Sequence, residues 1–307
     1  MINRTVIRSK VLQVLFSTCQ KEDKDLKIAE NELLFSLQKS YDLYHYLLLI
    51  IPHLTDMEQK RLDLRKHKHL ATEADLNPNT RFINNRLSAL LSTNEYLQSF
   101  ASQKGLFWTE DTNFTKKLLN QIIGSEQYAA YLQSPDDYAS DKEFWKQSFK
   151  KFIYNNEELD ELLEDKCIYW NDDVEIIETF VLKTIKKLEE TAGDKQELLP
   201  MFKDEEDRTF AIKLLRESFL QNENVSQRID KHIENWDFDR IANMDLYIMQ
   251  MAICELLSFP HIPINVTLNE YIDLAKIFST PKSATFINGV LDAIVEELKS
   301  ENLLFKS

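Results

Sequence analysis

Four glycines in 307 residues constrain this chain more than any other feature. Doubly wound sheets, phosphate-loop enzymes and β-sandwiches use glycine at turns and phosphate loops, where the backbone enters conformations that other residues avoid. A chain this poor in glycine predicts an all-α fold. Its 43% apolar and 29% charged residues allow a buried core and a soluble surface. The length fits one large or two ordinary domains.

The net charge of −14 and a pI near 5.0 argue against broad nonspecific binding to nucleic acid, which needs a basic footprint. A small local footprint remains compatible with them. Cys19, Cys167 and Cys254 are far apart and read as reduced thiols. The first residues mix arginine with apolar side chains and do not form a signal peptide. The apolar run Tyr46–Ile51 ends at Pro52 and is too short to span a bilayer. A soluble cytoplasmic protein is expected.

Residues 5–18 read as an amphipathic helix with Ile7, Val11, Val14 and Leu15 along one side. Arg4 and Arg8 are one turn apart and share a face, and Lys10 is close by. No acid precedes Glu22, so this is the one locally basic stretch of an acidic chain. Residues 25–54 predict one or two leucine-rich helices, and 56–70 an exposed charged helix. Ser140 to Glu143 and Thr267 to Glu270 each fit a capping box. The segment Ala192–Pro200 is the best linker candidate. Met244–Phe259 is apolar almost all round, as a central buried helix would be.

Two stretches align without a gap at an offset of 66 residues, one from Asp141 and one from Asp207. The offset pairs Phe144 with Phe210, Asn156-Glu157 with Asn222-Glu223, Trp170 with Trp236 and Asp173 with Asp239. Residues 141–190 are therefore a possible repeat of 207–256.

Thr280-Pro281 supplies an N-cap and a first-turn proline for a last long helix. Asn288-Gly289 falls inside that helix, where glycine costs about 1 kcal/mol against alanine. A missing Cβ lets another helix lie close, so a neighbour is expected against Gly289, either the first helix or the buried Met244–Phe259 helix.

The run from Ile241 to Ile294 resembles the NusB family of transcription antitermination factors. The matching pieces are Cys254-Glu255-Leu256, Ile262-Pro263, Asn269-Glu270, Leu274-Ala275-Lys276 and Phe286-Ile-Asn-Gly-Val-Leu-Asp292. Arg4, Arg8 and Val11-Leu-Gln-Val-Leu-Phe16 resemble the family's opening helix. The resemblance implies a helical bundle of two packed subdomains, enlarged in the middle of the chain. Residues 1–20 would supply the first helix of the core, 21–199 an inserted helical region, 200–298 the main domain and 299–307 a tail.

The resemblance further implies binding to boxA-like leader RNA of ribosomal RNA operons. The partners it implies are NusE, a small-subunit ribosomal protein, and the transcription elongation complex. It implies no catalysis, cofactor, metal, membrane or small-molecule substrate. The RNA surface would comprise Arg4, Arg8, Lys10 and Phe16 from the first helix with Lys282, Ser283, Thr285 and Phe286 from the start of the last. Asp245 occupies a position associated with the NusE-facing surface. Trp236, Glu255, Asn288 and Gly289 read as structural, with Glu255 a buried or half-buried carboxylate bonded to the backbone or to a partner such as Arg240. Thr5 and Val6 stand where related proteins often carry further arginines, and Lys282 where an acid is common. An interaction scaffold that keeps NusE binding and has lost RNA binding is the alternative. The NusB-like domains fused to RNA cytosine methyltransferases offer an enzyme reading, but no glycine-rich cofactor loop is present. The six histidines show no metal-ligand spacing.

Overall fold

The computed structural model describes residues 1–233 and 241–304, save the side chain of Pro281. In chain order the helices are α1 (Arg4–Cys19), α2 (Leu26–Lys66), α3 (Glu73–Leu76), α4 (Arg86–Thr93), α5 (Glu95–Lys104), α6 (Thr112–Ile123), α7 (Glu126–Gln133), α8 (Tyr138–Ser148), α9 (Glu157–Lys166), α10 (Val174–Lys187), α11 (Glu205–Leu220), α12 (Asn222–His232), α13 (Asn243–Ser258), α14 (Ile264–Phe278) and α15 (Pro281–Ser300). Short 3₁₀ turns and one π turn at Phe149–Ile153 join some of them. Among the described residues there is no strand, only an isolated bridge between Ile2 and Phe202. The fold is all-α, as the scarcity of glycine predicts. None of the described helices is long and apolar enough to cross a membrane.

The chain divides into two compact units. One comprises Met1 and residues 38–201, the other residues 2–37 and 202–307.

In the second unit, Asn3 starts α1 by accepting the Val6 N–H at 3.0 Å. This satisfies one of the donors that every helix start leaves open. The helix then buries Val6, Ile7, Val11, Leu12, Val14 and Leu15 against α11, α13 and α14. Helix α13 is buried from Ile248 to Leu256, as its unbroken apolar pattern requires. Helix α15 begins as its sequence dictates: Thr280 accepts the Ser283 N–H at 3.1 Å, and Pro281 occupies the first turn. Arg216 of α11 bonds Glu30 of α2.

In the first unit the core is aromatic. Tyr46 stacks on Trp108 with ring centroids 4.1 Å apart. The indole N–H of Trp108 donates to the Tyr46 carbonyl, and that of Trp170 to the Lys39 carbonyl, both at 2.8 Å. Asp141 gathers the start of α4: it accepts from Arg81 Nη2 at 3.2 Å, the Arg86 N–H at 3.0 Å and the Tyr131 hydroxyl at 2.7 Å.

Three local expectations are corrected. Residues 26–66 form one helix that runs through Pro52, where the pattern suggested breaks. A proline inside a helix costs about 3 kcal/mol. Burial of Leu47, Leu48, Ile50, Ile51 and Leu54 outweighs that, at roughly 1.5–3 kcal/mol for each large apolar side chain. Helix α8 is capped by Asp137, not Ser140, and Glu143 is turned to Lys146 and Gln147. Helix α14 starts at Ile264, so Thr267 sits inside it, and its hydroxyl bonds to Glu255 instead.

The order α8, α9, α10 matches α11, α12, α13. At the 66-residue offset Phe144 and Phe210, Leu159 and Val225, and Leu163 and Ile229 are all buried pairs. Asp141 and Asp207 both hold arginines, the latter Arg4 at 3.2 Å. Trp236 and Asp239 lie outside the described residues. A duplication, proposed from the alignment, accounts for these pairings.

Candidate nucleic-acid interface

The arginines of α1 have different fates. Arg8 is only 2% exposed and lies deep in the second unit. Its Nε and Nη2 donate to the two carboxylate oxygens of Glu255, each at 2.8 Å, the bidentate geometry guanidinium favours. Its Nη1 meets Glu270 at 3.0 Å. Thr267 and Tyr271 hydroxyls add bonds to Glu255 at 2.9 and 3.0 Å, and the Thr5 hydroxyl donates to Glu270 at 3.1 Å. Burial alone lowers the Arg8 pKa, but hydrogen bonding and charge from Glu255 outweigh it and hold the guanidinium firmly protonated. Burial, and then the Glu255 charge, keep the Tyr271 phenol neutral. All side chains of this cluster have a polar partner, so the charges stabilise one another out of water.

Arg8 therefore cannot offer its charge to phosphate, and Lys10, 1% exposed, is also withdrawn from the surface. The signal was present in the sequence: Arg8 precedes Val11, Leu12 and Leu15 at helical spacing, and Lys10 follows Val6 and Ile7 and precedes Val14. Both lie on apolar stripes. The partner of Glu255 is Arg8, not Arg240, which is outside the described residues.

Arg4 keeps 38% of its side chain exposed while bonding Asp207, and its guanidinium lies 5.0 Å over the Phe210 ring. Phe16 is half-buried and meets Tyr247 edge-on at 6.0 Å. Asp245, the expected partner-facing residue, is buried at 5% exposure with one oxygen lacking a hydrogen bond among the described residues. Trp236 is outside the described residues.

The start of α15 is different. Lys282 is exposed and has no ion-pair partner among the described residues. Ser283 helps form the cap, its hydroxyl 2.9 Å from that of Thr280. Thr285 is exposed and Phe286 half-buried. Together with His232, Gly289 and Val290, the side chains of Lys282, Thr285 and Phe286 line a hollow of about 610 Å³. Asn288 is held by Asp292 at 3.0 Å. Arg4 lines another hollow, which shares no residue with this one.

Gly289 is not explained as expected. A Cβ placed on it meets no described atom within 4 Å, and the residue is exposed at the hollow. No described helix packs against it. Gly289→Ala is accordingly expected to raise stability by up to about 1 kcal/mol, the helix-propensity difference, read as a higher denaturant midpoint. A lower midpoint would restore the close-packing explanation. Among the described residues, no cluster of histidine, cysteine, aspartate or glutamate has metal-binding geometry.

The sequence model of the NusB family matches residues 174–296. The transcription antitermination protein NusB of Salinibacter ruber is 40% identical over 133 residues, which is 41% of this chain and 83% of that protein. The NusB proteins of Koribacter versatilis and Chloroherpeton thalassium are each 41% identical. They align over 32% and 33% of this chain and over 67% and 47% of their own lengths. No solved structure matches. With this identity over most of the Salinibacter protein, and an all-α fold built around the Arg8–Glu255 core, the chain belongs to the NusB family.

Proposed function

We propose that this chain is an RNA-binding transcription antitermination factor that takes boxA-like leader RNA together with NusE and supports processive transcription by the elongation complex. The observation that carries the reading is the hollow at the start of α15. There an uncommitted ammonium, a hydroxyl and a half-buried aromatic ring converge beside a glycine with open space before it. Lysine beside a helix start suits phosphate, and an aromatic edge suits an unstacked base. Arg4 and Phe16 are the α1 side chains that stay accessible to contribute. Positioning of RNA against protein suffices for this role, and no bond need be made or broken.

Lys282→Glu is expected to weaken boxA RNA binding about tenfold or more and to flatten its salt dependence by about one released counterion per lost contact. A gel shift with and without NusE reads both. The second reading is a scaffold that keeps NusE and no longer binds RNA. It is favoured by the burial of Arg8 and Lys10 in a chain of net charge −14. NusE capture with no RNA shift at low salt would select it.

A further inference from the structure

Beside Arg4 lies a separate hollow of about 510 Å³, between the first turns of α11 and the loop from Ser258 to Ile262. Its floor is aromatic: the rings of Phe210 and Phe259 are 4.9 Å apart at 63°. Two cations border these rings. The Arg4 guanidinium lies 5.0 Å from the centre of Phe210, and the Lys213 ammonium 4.9 Å from that of Phe259. Arg4 is held by Asp207 and Lys213 by the Ser258 carbonyl at 2.7 Å, so both are fixed in place. Glu206 and His261 also line the hollow; both are exposed, and neither makes a hydrogen bond or ion pair among the described residues. An apolar concavity with a few polar groups at its rim is the usual form of a ligand site.

The geometry points to this hollow as a nucleobase subsite for a purine, guanine, splayed from single-stranded RNA. The inference rests on the RNA-binding reading above, and assigns to it a second place of contact. Flat π surfaces stack on aromatic rings and guanidinium planes, and Arg4 and Lys213 supply positive charge for the adjoining phosphates. The unpaired Glu206 carboxylate sets the selectivity. A carboxylate accepts from base N–H groups, and guanine offers two adjacent donors, the ring N1–H and the exocyclic amine. Uracil offers one N–H between two carbonyl oxygens, which the carboxylate repels.

The test uses the full chain labelled with ¹⁵N and titrated with guanosine and uridine monophosphates, compared with Glu206→Gln. An exposed glutamate can be replaced without loss of the fold. Guanosine monophosphate is expected to shift the amides of Ser258–Ile262 and to bind about tenfold more tightly than the uridine nucleotide. Glu206→Gln is expected to remove most of that difference while changing uridine nucleotide binding less than about twofold. No shift in the loop, shifts confined to the α15 hollow, or a guanosine preference that survives Glu206→Gln would each overturn the subsite. Those results leave the main reading standing, because that reading is decided by RNA binding and Lys282→Glu. Loss of Lys282-dependent RNA binding with the loop shifts intact would overturn the main reading alone.

Discussion

Arg8→Ala is expected to destabilise the protein by roughly 3–5 kcal/mol, the cost of stranding a buried charge by removing its partner. The stranded group is the Glu255 carboxylate, which is fully buried and receives two guanidinium bonds. The Thr267 and Tyr271 hydroxyls remain but cannot neutralise it. Glu255→Ala should cost a similar amount, because it leaves Arg8 with only the half-buried Glu270. The double variant should lose far less than the sum, since neither charge is then unpaired. Denaturant midpoints of the four proteins complete the cycle. The same variants separate folding from recognition: under conditions where Arg8→Ala is still folded, its RNA affinity and salt slope should match the parent. A salt slope reduced by about one would mean that Arg8 reaches phosphate after all, and the buried pair would not describe the protein in solution.

Family position and chemical role diverge at this arginine. In a sequence, Arg4 and Arg8 are equivalent charges one turn apart. What separates them is the rotation of α1 against α13 and α14, which turns Arg8 inward to Glu255 and leaves Arg4 at the rim. A reading that counts charge on a helix cannot see where a carboxylate more than two hundred residues later will arrive. Hydrophobic spacing could have given the warning, because the positions flanking Arg8 and Lys10 are apolar. By contrast, the start of α15 was legible in full, since Thr280 and Pro281 define it through local backbone chemistry alone. The environment of Gly289 was not, because its exposure depends on which helices fail to cover it. Pro52 failed as a breaker for the opposite reason: tertiary burial along α2 overrode a local preference. The aromatic floor beside Arg4 is assembled from α11 and the loop after α13, residues that no single motif joins.

The first unit carries a charge problem of its own, and it yields the largest pH effect expected of the protein. Glu178 of α10 is completely buried. One oxygen accepts the Asn155 N–H at 3.2 Å, and the other has no hydrogen bond among the described residues. Asn155 itself holds a left-handed backbone, φ 53°, just after the π turn. No cation is recorded against the carboxyl; the charged groups acting on it are the acids Asp160 and Glu175. Burial first, and then these two charges, push its pKa up from 4.5 to about 8 despite the Asn155 bond. The sign follows from linkage. Below pH 4.5 both folded and unfolded chains hold the proton, and Glu178 costs nothing. As pH rises toward 8 the unfolded chain releases the proton while the folded one retains it, so stability falls by up to about 1.4 kcal/mol per pH unit. Above the folded value the loss levels off, and the carboxylate is then ionised without a countercharge. Glu178→Gln reproduces the shape of the protonated acid and cannot ionise. Its denaturant midpoint should match the parent near the acid end and exceed it increasingly toward mildly alkaline pH, by a few kcal/mol in all. Amide exchange around Asn155 should slow in parallel in the variant at high pH. Equal midpoints for the two proteins across the whole range would show that Glu178 ionises normally, through water or a cation that reaches its free oxygen.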